Sequence, residues 1–330
     1  MGKGLGRQLQ VGFAKEAVRG TAEAAATFWL PFSEGSVEEK VELINDEQAL
    51  GVIEDTNDAK ITKLYSEITA KAALSDKSFP LVLFATLGAL ATAANPDGAT
   101  VKDHTITVAQ SLQHQSLTVF LNDPLSGVDY KYPLGMIDSL DLDYEVNKFV
   151  QLSLKMRAKK GALIAGGIVP STTTENLFLP QHFVFKLAST VSGLTAATAI
   201  PIKSMKLKFA KALEDDDVLG SKEPVDILIK KISVEGELEA IWQNETDFKN
   251  AFLAGTAQAM RIDLKNTDVT IGTAANPQIT IDLNKVIFND LTHAIKVGDV
   301  MRQTIQFKGF YNLTDSKMIS VKATNLQASY

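Results

Sequence analysis

Residues 36–51 read SVEEKVELINDEQALG, and residues 205–220 read MKLKFAKALEDDDVLG. Each runs from an alternating strand pattern through a cluster of carboxylates into Leu-Gly, at Leu50-Gly51 and at Leu219-Gly220. One such stretch suggests a metal site or an acid/base pair. Two of them shift attention from the acids to the repetition, because an internal repeat governs the fold before any motif does.

Three further anchors recur in the same order. GFAKEAVRGTAEAAATFWLPF, from Gly12, corresponds to VFKLASTVSGLTAATAIPI, from Val184. EITAKAALSDKSFPLVLFATLGA, from Glu67, corresponds to EGELEAIWQNETDFKNAFLAGTA, from Glu235, with Phe84 opposite Phe252. In both, an alternating strand runs into a helix start, with Ser75 and either Asn244 or Thr246 as candidate N-caps. VNKFVQLSLKMRAKK matches VGDVMRQTIQFKGFY in hydrophobic pattern.

Four anchors in register predict two tandem domains of α+β, mainly β, class, each of antiparallel sheets or a sandwich with a flanking helix. The predicted division is an N-terminal arm over 1–11, a first domain over 12–165, a linker over 166–180 and a second domain over 181–330. The linker expectation rests on GALIAGGIVPSTTTEN, from Gly161, which is rich in Gly, Ser and Thr. Leu140, Leu142 and Tyr144 alternate with Asp141, Asp143 and Glu145, and Leu152, Leu154 and Met156 with Gln151, Ser153, Lys155 and Arg157. Such strands build a sheet with one buried and one wet face. Between a strand ending near Ile44 and one starting near Lys63 lies a connection of about 18 residues, long for a hairpin.

Composition narrows the function. Hydrophobic residues at 45% and charged residues at 22% describe a folded globular chain. A net charge of −6 gives no bulk attraction to nucleic acid or to an anionic membrane. The absence of cysteine removes disulfides, thiolate metal sites and thiol catalysis. MGKGLGRQLQVGFAKE lacks the apolar core of a signal peptide, so no export signal is expected. The run PLVLFATLGALATAA, from Pro80, is too short to span a bilayer and predicts a buried helix.

No motif supports catalysis or a cofactor. The glycines of Gly2–Gly6 have no strand before them, as a phosphate loop requires. Asp46-Glu47 and Glu214–Asp217 lack the alternating spacing of a calcium loop and read as solvated acidic loops. His104, His114, His182 and His293 stand far apart with no nucleophile elbow, so they read as structural. Phe28, Trp29, Phe32 and Trp242 read as core or interface anchors, since base stacking needs a basic groove beside it. No metal, no cofactor and no enzymatic activity are expected.

The first anchor with the strand and LGVIED after it, together with KNTDVTIGTAANPQITIDLNKVIF and the closing DSKMISVKATNLQASY, resembles the major tail tube proteins of long-tailed, non-contractile (siphovirus-type) bacteriophages. That resemblance implies a structural virion protein, made in the host cytoplasm, whose stacked rings enclose a channel with a continuous inner β-barrel. Its implied partners are further copies of itself, in rings of three chains with pseudo-six-fold symmetry or of six chains, the tape measure and tail-tip or terminator proteins, and double-stranded DNA passing without sequence-specific binding. No membrane partner is implied. The polar strand positions Glu67, Thr69, Lys71, Glu235, Glu237 and Glu239 become candidate lumen residues, with Asp141, Asp143, Lys155, Arg302, Gln306 and Lys308 as a second set. The triple glutamate predicts an acid-biased wall that repels DNA. The two acidic loops, with Asp46, Glu47, Leu50, Gly51, Asp215, Asp216, Asp217, Leu219 and Gly220, become candidate contacts between rings. The alternatives are the tube of a contractile tail or secretion-like system, and a two-domain β-sandwich binding module.

Overall fold

Period-two alternation along most of the chain produces long antiparallel strands in the computed structural model, which describes residues 6–123, 127–242, 248–295 and 297–330. The first half contains β1 (Gln10–Lys15), β2 (Phe28–Leu30), β3 (Phe32–Asp46), β4 (Asp58–Ala73), α1 (Ser78–Leu87), β5 (Gly88–Asn95), β6 (Gly98–Val108), β7 (Leu117–Asn122), β8 (Asp129–Glu145), β9 (Gln151–Ala158) and β10 (Ala162–Ile164). The second contains β11 (Phe183–Ala188), β12 (Ser204–Asp216), β13 (Asp226–Ile241), α2 (Lys249–Ala254), β14 (Gln258–Lys265), β15 (Gln278–Ala294), β16 (Arg302–Gly309) and β17 (Ile319–Asn325).

The fold is mainly β, and its pairing repeats. In the first half neighbours run β1-β7-β8-β9-β4-β3. In the second they run β11-β14-β15-β16-β13-β12, antiparallel at every step as before. The irregularities recur too. A bulge between Glu42 and Leu43 matches one between Ala212 and Leu213, and a bulge between Ile137 and Ser139 matches one between Phe288 and Asp290. These bulges set Leu43 in the place of Leu213. Alignment on Leu-Gly would instead have put Ile44 there, which would reverse every side chain between the two faces. The tip loops absorb the difference, spanning 47–57 in one hairpin and 217–225 in the other.

The two halves join edge to edge. β12 pairs with the end of β8 from Ala210 opposite Ser139 to Ser204 opposite Glu145. One sheet therefore runs β3-β4-β9-β8-β12-β13-β16-β15 across the molecule. The β5–β6 hairpin has no counterpart among the described strands of the second half, and β17 pairs with both β6 and β15. A single apolar cluster runs beneath both halves, from Phe13, Ile68 and Leu140 to Leu207, Ile262 and Phe307.

Packing has diverged inside the shared frame. Gly236 occupies the place of Ile68, and its neighbour Phe307 the place of Met156, so bulk moved from one strand to the next. A Cβ on Gly236 would lie 2.4 Å from Phe307 Cζ and 2.6 Å from the Lys206 carbonyl, and only glycine fits.

Several sequence expectations change. The helix expected over 80–94 ends at Leu87, because Gly88 adopts φ 93° and turns its N–H back onto the Phe84 carbonyl, so GALATAAN continues as β5. Ser75 does not cap α1. Its hydroxyl meets that of Ser78 at 2.6 Å, while Glu175 Oε2 accepts from the Ser78 N–H at 3.3 Å and from its hydroxyl at 2.8 Å. Asn244 and Thr246 lie outside the described residues. The connection after Ile44 is shorter than expected, since β3 continues to Asp46 and β4 starts at Asp58. Gln10 and Val11 belong to β1 rather than to a free arm. The stretch 166–180 is tied to the body. Asn176 donates twice to Asp76, at 2.9 and 2.8 Å, Phe178 is fully buried, and its carbonyl accepts from Val150.

Candidate functional site

The through-running sheet has an apolar face on the core and a charged face opposite. Along β12, Met205, Leu207 and Phe209 are buried while Lys206 and Lys208 are exposed. Along β4, Ile68, Ala70 and Ala72 point inward, and Glu67, Thr69 and Lys71 point outward. All the residues singled out as lumen candidates fall on this one charged face, because the register places them in transverse rows. Asp141 faces Lys208, which faces Glu235, which faces Lys308. Asp143 faces Lys206, which faces Glu237, which faces Gln306.

These rows alternate in sign, so acids and bases pair across strands. Lys308 reaches Glu235 at 2.7 Å, Gln306 donates to Glu237 at 3.1 Å and Arg302 reaches Glu239 at 2.7 Å. In the first half Lys155 lies 3.5 Å from Glu67, and Arg157 lies 3.8 Å from the same carboxylate. The face is therefore charge-mixed, and the glutamates of EGELE stand among cations. Lys206, Lys208 and Arg157 complete the pattern and were readable from the same alternation. Burial pushes the Asp141 carboxyl above the usual aspartate range, against the downward pull of Lys208.

The hairpin tips differ from the expected acidic loops. Asp46 and Asp216 are the last residues of their strands, and Asp215 lies within β12. Asp215 is turned inward, its side chain 5% exposed, with one oxygen 2.7 Å from Lys63 and 3.0 Å from Arg157. It ties the β12–β13 hairpin to β4 and β9, and so is committed within the chain. Burial disfavours the Lys63 ammonium, but hydrogen bonds to Asp215 and Asp217 hold its pKa above the ordinary lysine value. The rest of the tips stays open to solvent. Glu47 and Gly51 are exposed, Leu50 and Val52 are each 59% exposed, and Ile53, Leu219 and Gly220 are exposed as well.

The histidines are structural partners. His104 is fully buried, with Nδ1 at 2.9 Å from the Thr92 hydroxyl, Nε2 at 2.9 Å from the Gln327 carbonyl, and its edge on Tyr330, and burial lowers its pKa. His114 bridges the Thr86 and Ala109 carbonyls, each at 3.1 Å. His182 receives the Leu179 N–H and meets Asp268 at 3.1 Å. His293 stacks beside Trp242, and Trp29 and Phe28 lie in the core. Among the described residues no three metal-ligating side chains cluster, and no helix is long and apolar enough to cross a membrane. A cleft of about 480 Å³ is lined by residues 107–112 and His114, by residues 229–232 of β13, and by Tyr311 and residues 316–319.

A family model described as phage tail tube protein matches residues 6–309. No curated protein matches the sequence.

Proposed function

The chain belongs to the phage tail tube protein family, and on that premise we propose that it builds the tube of a siphovirus-type tail as stacked rings of three chains. Family membership makes it a structural component of the virion that self-assembles into a tube. The finer reading rests on one observation, the pair of four-stranded units joined at β8–β12 with β3 and the end of β15 beyond Val286 left open at the outer edges among the described strands. Such open edges invite pairing with another chain, and a closed ring removes them. With two domains per chain, three chains supply six near-equivalent units.

In this reading the charged face lines the channel, with Glu67, Thr69, Lys71, Asp141, Asp143, Lys155, Glu235, Glu237, Glu239, Arg302, Gln306 and Lys308 on its wall. Its carboxylates pair across strands with Lys155, Arg302 and Lys308 and stand in register with Lys206 and Lys208, so the wall carries no uncompensated basic strip to grip phosphate, and DNA passes without a salt-dependent trap. The tips around Leu50 and Leu219 project along the axis and meet the next ring. Tape measure and tail-tip proteins then act as length and initiation partners.

Negative-stain microscopy and mass measurement of the purified chain, with and without a tail-tip complex, test this. Hollow tubes of stacked three-chain rings are expected. Solely monomeric protein under both conditions would refute it, and tubes that form only within a sheath would move it to the contractile class.

A further inference from the structure

The join between the two halves is a physical template for the join between two chains, because each partner in it has a counterpart left unpaired at an outer edge. β3 has the place in the first half that β12 has in the second, and among the described strands it pairs with β4 alone. The end of β15 has the place that the end of β8 has in the first half. On the side of β15 where β14 pairs, that pairing stops at Val286, and residues beyond it have no strand partner there among the described residues. On the corresponding side of β8, pairing with β7 stops at Gly135 and β12 takes over from Ser139.

We infer that β3 of a second copy pairs antiparallel with the end of β15 in the register of the internal join, with Lys40 opposite Asp290, Glu38 opposite Thr292 and Ser36 opposite Ala294. Transfer of the register is direct. The bulges fix Asp290 in the place of Ser139 and Lys40 in the place of Ala210, which face each other inside the chain.

Two further observations fit a second copy as the occupant. The transferred register sets Lys40, half-buried and paired with Glu38 within the chain, opposite the exposed Asp290, as the internal join sets Lys206 opposite Asp143. The internal join is also sealed by an apolar cluster of Leu134, Met136, Ile227 and Ile229 with Leu213 against it. At the open edge the counterparts of Leu213 and Ile229 are Leu43, 57% exposed, and Ile61, 40% exposed. The counterpart of Met136 is Ile287, which stands on β15 where the incoming strand would lie. The open edges thus carry apolar material for part of such a seal, with Ala59 and Lys285 in the places of Ile227 and Leu134.

This inference rests on the ring reading but is tested apart from it. The chain has no cysteine, so engineered pairs report cleanly. In Glu38→Cys with Thr292→Cys, and in Ser36→Cys with Ala294→Cys, oxidation of assembled rings is expected to give covalent species ending at one full ring. Asp141→Cys with Lys208→Cys, the internal counterpart of the first pair, serves as the positive control and links within one chain. Rings or tubes that form, with the control linked, but show no link at either outer pair would overturn the register and leave the ring intact. A link that appears only in a slipped pair, Glu38→Cys with Ala294→Cys, would overturn it likewise. Failure of the unmodified chain to form any ring would overturn the ring reading, and the joint with it.

Discussion

Replacing Lys211 by methionine should make the folded chain less sensitive to pH, by an amount the structure fixes. Lys211 lies on β12 where the halves join, nearly fully buried, and its ammonium donates to the Ala85 carbonyl at the end of α1 at 2.8 Å. Burial, reinforced by the nearby Arg19 guanidinium and only partly offset by Asp138, pushes its pKa down to about 7. The unfolded chain holds this proton up to about pH 10. Between the two values the unfolded state therefore binds one proton more than the folded state, and stability rises with pH. The slope is about 1.4 kcal/mol per pH unit near pH 8–9 and fades below pH 7, where both states are protonated. Lys211→Met removes that slope while filling nearly the same volume. Guanidinium unfolding of both proteins at pH 6, 7, 8 and 9, compared as differences so that other titrating groups cancel, measures it. The variant should gain most at pH 6–7, and its advantage should shrink by about 2–3 kcal/mol between pH 6 and pH 9. Parallel pH profiles would refute the argument that the buried lysine loses its proton on folding.

Three further outcomes follow from named contacts. Glu16 is buried and accepts from the Gly20 and Leu134 N–H groups at 2.8 and 2.7 Å and from the Ser116 and Thr118 hydroxyls. Glu16→Ala leaves one buried N–H donor unpaired, on Leu134 at φ 56°, and one half-buried donor on Gly20, and should cost about 2–4 kcal/mol, read from the denaturant midpoint at unchanged slope. Asp215→Asn should cost about 1–3 kcal/mol, less than a typical broken buried pair because Lys63 keeps Asp217, whereas Asp217→Asn should cost under about 1 kcal/mol. Leu50→Asp combined with Leu219→Asp should shift stability by less than about 0.5 kcal/mol. It should still leave rings that do not stack, as read by sedimentation and microscopy; tubes of normal length would contradict the tip assignment.

Much of the architecture was legible because period-two alternation is local. Leu140, Leu142 and Tyr144 against Asp141, Asp143 and Glu145 revealed the two faces of β8 without any tertiary knowledge, and the paired Leu-Gly tips revealed the repeat. What escaped was set by contacts between distant segments. Nothing near Asp215 in sequence signals that Lys63 and Arg157 will lie beside it, since that contact depends on the path β12 takes beyond its last pairing with β8, Ala210 opposite Ser139. The carboxylates of EGELE read as a bare acidic strip, since Lys206, Lys208, Arg302 and Lys308 become their neighbours only once β12, β13 and β16 are in register. The helix boundary was a local error, because Gly88 carries an ordinary C-terminal stop signal inside an apolar run that drew the reading onward.

The pairing of β17 with β6 bears on how the molecule is made. Residues 98–108 present an unfinished edge from early in synthesis, and their partner, residues 319–325, is translated more than half a chain later. Until that strand is threaded between β6 and β15, the growing polypeptide carries an exposed hairpin and an incomplete core beside Val321 and Ala323. Long-range pairing of this kind is slow to form. A nascent chain thus completes this part of its fold only after residues 319–325 have left the ribosome, and a product truncated before them lacks the strand that links its two halves on that side.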